Sequence, residues 1–310
     1  MPASHSTARY AGRFAPSPTG PLHFGSLIAA VGSYLDARSH DGAWLLRMED
    51  VDRPRCQPGA ADGILRTLAA FGFEWDGEVM TQSRRDAVYR AAFEKLRDGG
   101  RIFPCACTRR EMADSRLQGG LSRASDGAQI YPGTCRSGLM PGRPARSWRL
   151  RVDADVIGFE DAVQGYIRQD LGGEVGDFVL LRADGLFAYQ LAVVVDDAAQ
   201  AVTHVVRGAD LLDSTPRQIL LQRLLEVPTP HYAHLPVAVD VAGEKLSKQT
   251  RAAPLDESCP LPTLMTALQF LGQTPPAELA EASLPEFWHW ATAHWDLARV
   301  PQQRMLAGPE

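Results

Sequence analysis

Read for its apolar and polar positions, the chain alternates between short apolar runs and stretches of helical period. Tyr10–Ala15 is an apolar run that stops at Pro16, Pro18 and Pro21, and an amphipathic helix follows over Gly25–Ser39. Prolines at that density permit neither a helix nor a central strand, so the segment between is a stiff, extended turn. Ala43–Met48 reads as a buried parallel strand ending in Glu49-Asp50-Val51-Asp52. Apolar residues at helical spacing return over Pro58–Phe71 and Arg84–Leu96, with the turn-rich Gly72–Gly77 between them. From Arg101 to about Trp148 the periodicity is poor and prolines and glycines are frequent. Trp148–Val152 and Asp177–Arg182 have strand patterns, with a turn at Asp184-Gly185. Phe187–Val195 is apolar almost throughout and reads as a strand that begins near Tyr189 and ends in Asp196-Asp197. Val202–Asp210 reads as another strand, followed by a helix over Ser214–Leu225 with Pro216 in its first turn. A strand-like Leu235–Val239, a helix over Leu261–Leu271 and a Trp-rich helix over Leu284–Leu297 complete the pattern. The tryptophans of that last helix read as packing residues.

Buried β-branched runs alternating with helices indicate a parallel sheet. The predicted fold is α/β: a doubly wound sheet built from residues 1–100 and 187–240, interrupted by an insertion over 101–186 and followed by a small helical region over 241–310. A chain of 310 residues is long enough for more than one domain. No apolar run reaches 18 residues and the first residues are polar, which predicts no membrane span and no secretory signal. Five cysteines, an odd number with Cys105 and Cys107 one residue apart, fit a reducing compartment and a metal better than a disulfide framework. A monomeric cytoplasmic chain is the expectation.

The formal charge of −5 does not advertise a nucleic-acid partner, but its distribution does. Between Arg101 and Arg151 ten arginines face only Glu111, Asp114 and Asp126, the balance of a phosphate-binding face inside an acidic protein. Candidate chemistry lies at the ends of the apolar runs. His23 and Ser26 sit where the first helix begins, and free N–H groups and the helix dipole attract anions there. Gly25 leaves room for a flat group against the backbone. Glu49 follows a buried strand, where open α/β sheets bind ligands and a carboxylate can hold an ammonium. Arg207 offers a fork suited to a carboxylate. Of only three lysines, Lys245 and Lys248 fall together in Gly243-Glu-Lys-Leu-Ser-Lys-Gln249, a loop whose mobile ammonium groups can follow developing phosphate charge. Cys105, Cys107 and Cys135 are placed to grip one metal.

His23-Phe-Gly-Ser26 resembles the HIGH signature of class I aminoacyl-tRNA synthetases. The longer Arg13-Phe-Ala-Pro-Ser-Pro-Thr-Gly-Pro-Leu-His23 resembles the glutamyl/glutaminyl branch, and Lys245-Leu-Ser-Lys248 is similar to the KMSKS loop, with Leu for Met and Gln249 for the last Ser. Cys105-x-Cys107 with Tyr131-x-x-x-Cys135 resembles the zinc ligands of the glutamyl-queuosine tRNA(Asp) synthetases, although Thr108–Ile130 is longer than that family's pattern and looks like an inserted loop. The resemblance implies the class I Rossmann-like fold with a zinc-bearing insertion. It implies that His23, Gly25, Ser26 and Lys248 hold ATP, with His23, Lys245 and Lys248 serving catalysis. Arg13, Phe14, Ala15, Pro16, Ser17, Glu49, Tyr189 and Arg207 would hold L-glutamate, with Glu49 on its amino group. Zn²⁺ would sit on Cys105, Cys107, Tyr131 and Cys135, the liganded site's net charge of about −2 offset by Arg109, Arg110 and Arg136, and Mg²⁺ would accompany ATP.

The implied activity is ATP-dependent activation of glutamate, then transfer to queuosine in the anticodon of tRNA(Asp). Only some sixty residues follow Lys248, so no separate anticodon-binding domain is expected. The rival readings are a truncated glutamyl-tRNA synthetase charging the 3′ end of tRNA(Glu), and an inactive zinc-stabilised tRNA-binding module.

Overall fold

The computed structural model describes residues 9–108, 110–112, 130–240 and 253–309. Along the chain, β1 (Ala11–Phe14) leads into α1 (Phe24–Ser39), β2 (Ala43–Met48), α2 (Ala60–Ala70), β3 (Met80–Thr81) and α3 (Asp86–Asp98). Strands β1, β2 and β3 are adjacent and parallel, with Arg13 opposite Leu45. Then come β4 (Ile102–Cys105), β5 (Ser147–Leu150), the hairpin β6 (Val156–Asp161) and β7 (Gly165–Asp170), and β8 (Val179–Leu181). The chain continues through α4 (Tyr189–Ala199), β9 (His204–Gly208), α5 (Thr215–Leu225), β10 (His231–Leu235) and β11 (Val237–Val239). Helices α6 (Pro260–Phe270) and α7 (Leu284–His294) precede β12 (Met305–Ala307), which pairs with β11.

Strands β9 and β10 are parallel, and β9 lies beside β1, where the Thr203 N–H donates to the Ala11 carbonyl at 2.9 Å. The parallel strands therefore run outward in two directions from the β1–β9 seam, which creates the crevice beyond their carboxyl ends where such sheets bind ligands. Apolar clusters cover both faces. One joins α1, β1, β2, α6 and α7, and the other joins α3, α4, α5 and β9. Helix α1 is buried along Leu27, Ile28, Val31 and Leu35, and it reaches β10 closely because residue 32 is glycine. A Cβ at Gly32 would stand 2.4 Å from Leu235 Cδ1.

Four elements differ from the pattern read in the sequence. Phe187–Val195 is not a strand: Phe187 bridges Leu181, Ala188 is extended, and Tyr189 begins helix α4. A continuous apolar run has no period to separate strand from helix, and α4 is buried on Leu191–Val194 and again on Asp196 and Asp197. Leu235–Val239 is divided at Pro236, which has no N–H to give to a ladder. The Trp-rich helix stops at His294, and Trp295 lies beyond it, donating from Nε1 to Asp36 at 3.1 Å. The hairpin β6–β7, within the stretch counted as an insertion, has no counterpart in the sequence reading, and β6 pairs in parallel with β10. The remaining strands of that stretch, β4, β5 and β8, form their own antiparallel sheet. Among the described residues no helix is long and apolar enough to cross a membrane.

Candidate active site and metal cluster

A cleft of about 190 Å³ opens over the carboxyl ends of β1, β2, β9 and β10. Arg13, Phe14 and Ala15 enter it from β1, His23, Gly25 and Ser26 from the start of α1, and Glu49 from the end of β2; Tyr189 comes from the first turn of α4 and Arg207 from β9. The sequence places these residues almost 200 positions apart, and the sheet brings them to one rim. Pro16 lines no described cavity, but its carbonyl accepts from the Glu49 N–H at 3.0 Å and ties the two loops together. Ser17 lines a neighbouring cavity of about 360 Å³, which shares Glu49 and Tyr189 with the first.

His23 caps α1 in an extended conformation and is nearly buried. Its carbonyl accepts from the Ser26 and Leu27 N–H groups, and its Nε2 lies 3.2 Å from Ser26 Oγ. The ring is thereby held at the positive end of a long buried helix, a geometry suited to phosphate oxygens. Lys245 and Lys248 lie outside the described residues, yet both flanks of their segment meet this rim. Pro236 and Val237 line the cleft ahead of it, and Pro254 bridges His23 behind it.

Beneath the rim lies a buried ion network that the sequence did not reveal. Asp197 receives Arg13 Nε at 3.1 Å and Arg47 Nη2 at 2.7 Å, and the same Arg47 Nη2 reaches Glu49 at 3.2 Å. Burial alone would raise the Asp197 carboxyl, but Arg13 and Arg47 outweigh it and hold it below its usual value. Glu49 goes the other way: burial raises it more than Arg47 and Arg13 lower it. An ammonium ligand at Glu49 would replace that lost solvation. Asp50 and Asp52 serve the loop, as their sequence position suggests. Asp50 accepts from the Ser83 N–H at 2.7 Å, and Asp52 pairs with Arg55 and Arg182.

Arg207 is only 4% exposed, and its hydrogen-bond partners among the described residues are all neutral. Nε donates to His234 Nε2 at 3.0 Å, Nη2 to Thr215 Oγ1 at 2.7 Å, and Nη1 to the Tyr189 hydroxyl at 3.4 Å. Burial raises Tyr189 above its ordinary value, so its hydroxyl keeps its proton while accepting from Arg207. The pair therefore offers the cleft one formal positive charge and one O–H donor.

In the second site, the Sγ atoms of Cys105, Cys107 and Cys135 lie within 4.8 Å of one another. The Tyr131 hydroxyl is 3.4 Å from Cys105 Sγ and 3.6 Å from Cys107 Sγ, and Cys107 and Cys135 are 3.6 Å apart. A tetrahedral zinc with sulfur ligands at about 2.3 Å and oxygen at about 2.0 Å has donor–donor edges of roughly 3.5–3.8 Å, so the donor set fits that ion. Burial would raise the Cys105 thiol, but its hydrogen bonds with Tyr131 and Arg149 bring it down to about 7, whereas burial carries Cys107 up to about 11. Burial and the surrounding thiols push the Tyr131 phenol above its ordinary range.

Among the described residues the cation in contact with these donors is Arg149, which the sequence reading did not name for this site. Arg149 donates to Cys105 Sγ at 3.4 Å and lies 4.0 Å over the Tyr131 ring. Arg136 turns instead to the Val152 carbonyl and to Asp153 and Asp177, acceptors stronger than a thiol. Arg109 lies outside the described residues. Arg110 lines a cavity of about 560 Å³ with Arg146, Arg149 and Arg182. That cavity shares Val179 and Arg182 with the one beside Ser17, so three cavities run in series from α1 to the cysteine cluster.

Residues 10–277 match the family model for the catalytic domain of class I tRNA synthetases (E and Q). The chain is 63% identical over 300 residues to the glutamyl-Q tRNA(Asp) synthetase of Aromatoleum aromaticum, covering 97% of this chain and 93% of that protein. It is 60% identical to the protein of the same name from Dechloromonas aromatica, covering 97% and 98%. Among solved structures, the glutamate-tRNA synthetase of Elizabethkingia anophelis superposes with a TM-score of 0.79 at 24% identity, over 96% of this chain and 68% of that one. At that identity the likeness concerns the fold: mixed α/β with a parallel sheet.

Proposed function

This chain belongs to the glutamyl-Q tRNA(Asp) synthetase family, among the class I tRNA synthetases, and is a ligase; from that premise we propose that it activates L-glutamate with ATP and passes it to the queuosine base of tRNA(Asp). The observation that carries the amino-acid half is Arg207, a buried cation with neutral partners, facing Glu49 across one cleft. Arg13 and Arg47 pair with Asp197 and Glu49, whereas among the described residues no carboxylate pairs with Arg207, which leaves its guanidinium for a carboxylate of the ligand. Arg207 Nη1 and the Tyr189 hydroxyl hold the side-chain carboxylate, and Glu49 holds the ammonium. The α-carboxylate is left to attack the α-phosphate of ATP, whose phosphates lie against His23, Gly25 and Ser26. A P–O bond forms to glutamate, the bond to the β-phosphate oxygen breaks, and pyrophosphate leaves, with Lys245 and Lys248 the groups that would take up its charge. No side chain acts as a nucleophile; the protein supplies position and charge. Mg²⁺ accompanying ATP supplies further charge for the phosphates.

Zinc would be held by Cys105, Cys107, Tyr131 and Cys135 and would cross-link the loop around β4 without entering the reaction. The arginine-lined cavities leading from it to the cleft suit the phosphates of a tRNA stem and loop. The test uses labelled glutamate and tRNA(Asp) with and without queuosine. Transfer is expected only to the queuosine form, and it persists when the 3′-terminal ribose is oxidised with the queuosine diol shielded. Transfer to unmodified tRNA, or its loss on blocking the 3′ end alone, would overturn the reading in favour of a 3′-end synthetase.

A further inference from the structure

Behind Arg207 lies a second buried pair that the proposed reaction does not use. His234, on β10, is fully buried, and its Nδ1 is 2.5 Å from Asp161 Oδ2, at the end of β6. The other carboxylate oxygen, Oδ1, accepts three backbone N–H groups: Val163 at 3.1 Å, Gln164 at 2.8 Å and His234 itself at 3.1 Å. On the far side of the ring, Nε2 faces Arg207 Nε at 3.0 Å and Thr215 Oγ1 at 3.1 Å. A guanidinium can only donate, so Nε2 must be the acceptor and the ring proton must sit on Nδ1.

We infer that Asp161 and His234 are positioning residues for substrate recognition: Asp161 fixes the His234 tautomer, and that tautomer fixes the guanidinium of Arg207. The inference rests on the reading of Arg207 as the carboxylate receptor. With Nε anchored by His234 and Nη2 by Thr215, the guanidinium plane cannot turn, and Nη1 beside Tyr189 is the corner presented to the cleft. A second proton on His234 would set N–H against N–H and charge against charge. Burial and the neighbouring Arg207 oppose that proton more strongly than Asp161 and Asp210 favour it, and His234 is held down to about 4. The device is therefore neutral at the ring, and Arg207 keeps its charge for the ligand.

Asp161→Asn tests this without changing shape. Three N–H donors hold an oxygen at the Oδ1 position, so the amide nitrogen must turn toward His234 Nδ1. Nδ1 then has to accept, the proton moves to Nε2, and Arg207 loses its acceptor. The expected result is a rise in the glutamate KM on the order of 10-fold in ATP–pyrophosphate exchange, with the ATP KM and kcat within about twofold. The His234 ring resonances in ¹⁵N NMR should switch tautomer with it. A switched tautomer with an unchanged glutamate KM would overturn the inference, as would equal rises in both KM values. Arg207→Ala is the control: no change in its glutamate KM would sink the receptor reading itself. Should Asp161→Asn fail to fold, His234→Gln and His234→Asn decide. Gln can place a carbonyl near the Nε2 position and Asn cannot, so a lower glutamate KM in Gln than in Asn supports the inference, and equal values overturn it.

Discussion

In the cleft, Glu49 and Asp197 are matched inside the sheet by Arg13 and Arg47, whereas in the cysteine cluster, with three sulfurs and a phenol, Arg149 is the cation seen to hydrogen-bond a sulfur among the described residues. The first site is assembled by fold alone. Its charges come from β1, β2, α4 and β9, each fixed by ladder or helix bonds, and Arg13, Arg47, Asp197 and Glu49 are paired before any ligand arrives. The second is assembled from loops around one short strand, and its donors must shed protons that burial keeps on Cys107 and Tyr131. A site of the first kind is preorganised for a small zwitterion. A site of the second kind is completed by a cation.

Removing the counter-ion of the first site should have the largest effect. Asp197→Ala leaves two buried guanidinium groups facing each other and should lower stability by about 3–5 kcal/mol in denaturant unfolding. A loss below about 1 kcal/mol would mean that water already screens the network, and the contrast between the sites would weaken. Next comes the metal. Purified protein should carry about one zinc per chain, lost in Cys105→Ser and Cys135→Ser, and Tyr131→Phe should weaken it less, because a phenol held above its ordinary range by burial and the thiols is the poorest donor of the set. The glutamate KM should stay within about twofold in all three. Stoichiometric zinc after replacement of all three cysteines would place the ion elsewhere.

Glu49→Gln should touch ligand more than fold. It removes the ammonium partner, and the glutamate KM should rise on the order of 10-fold with little change in melting temperature. An unchanged KM would free Glu49 from that role. The smallest effect is a slope. Unfolded, His234 takes up its proton near pH 6.5; folded, it does so at about 4. Between those values the unfolded chain binds the extra proton, so stability is complete above about 6.5 and falls as pH drops toward 4. His204, also held to about 4 by burial and by His231, adds to the same slope. The readout is therefore the difference between the native chain and His234→Gln, which should be shallower by up to about one proton. Identical slopes would mean that His234 is accessible to water.

Much of this architecture was legible where local chemistry decides it. Three prolines before His23 dictate an extended turn, and α1, β2 and α3 follow from their apolar spacing. Cys105-x-Cys107 announces a cluster by spacing alone. What could not be read depends on distant partners. Asp197 closes an apolar run like any end-of-run acid, and its partner Arg13 is 184 residues away. Asp161 and His234 are 73 residues apart and belong to strands that no local period pairs. Tyr189 reads as part of a strand in the sequence because an unbroken apolar run serves a strand and a buried helix equally well. Arg149 was one of ten arginines, and nothing in the sequence singles out the one that turns inward.

The most direct test of a cleft complete in itself is glutamate-dependent ATP–pyrophosphate exchange with no tRNA present. The account predicts exchange with the native chain, and exchange retained in Cys135→Ser after its zinc is gone, because neither the metal nor RNA supplies a group to the cleft. Exchange that appears only when tRNA is added, or that disappears with the zinc, would contradict it.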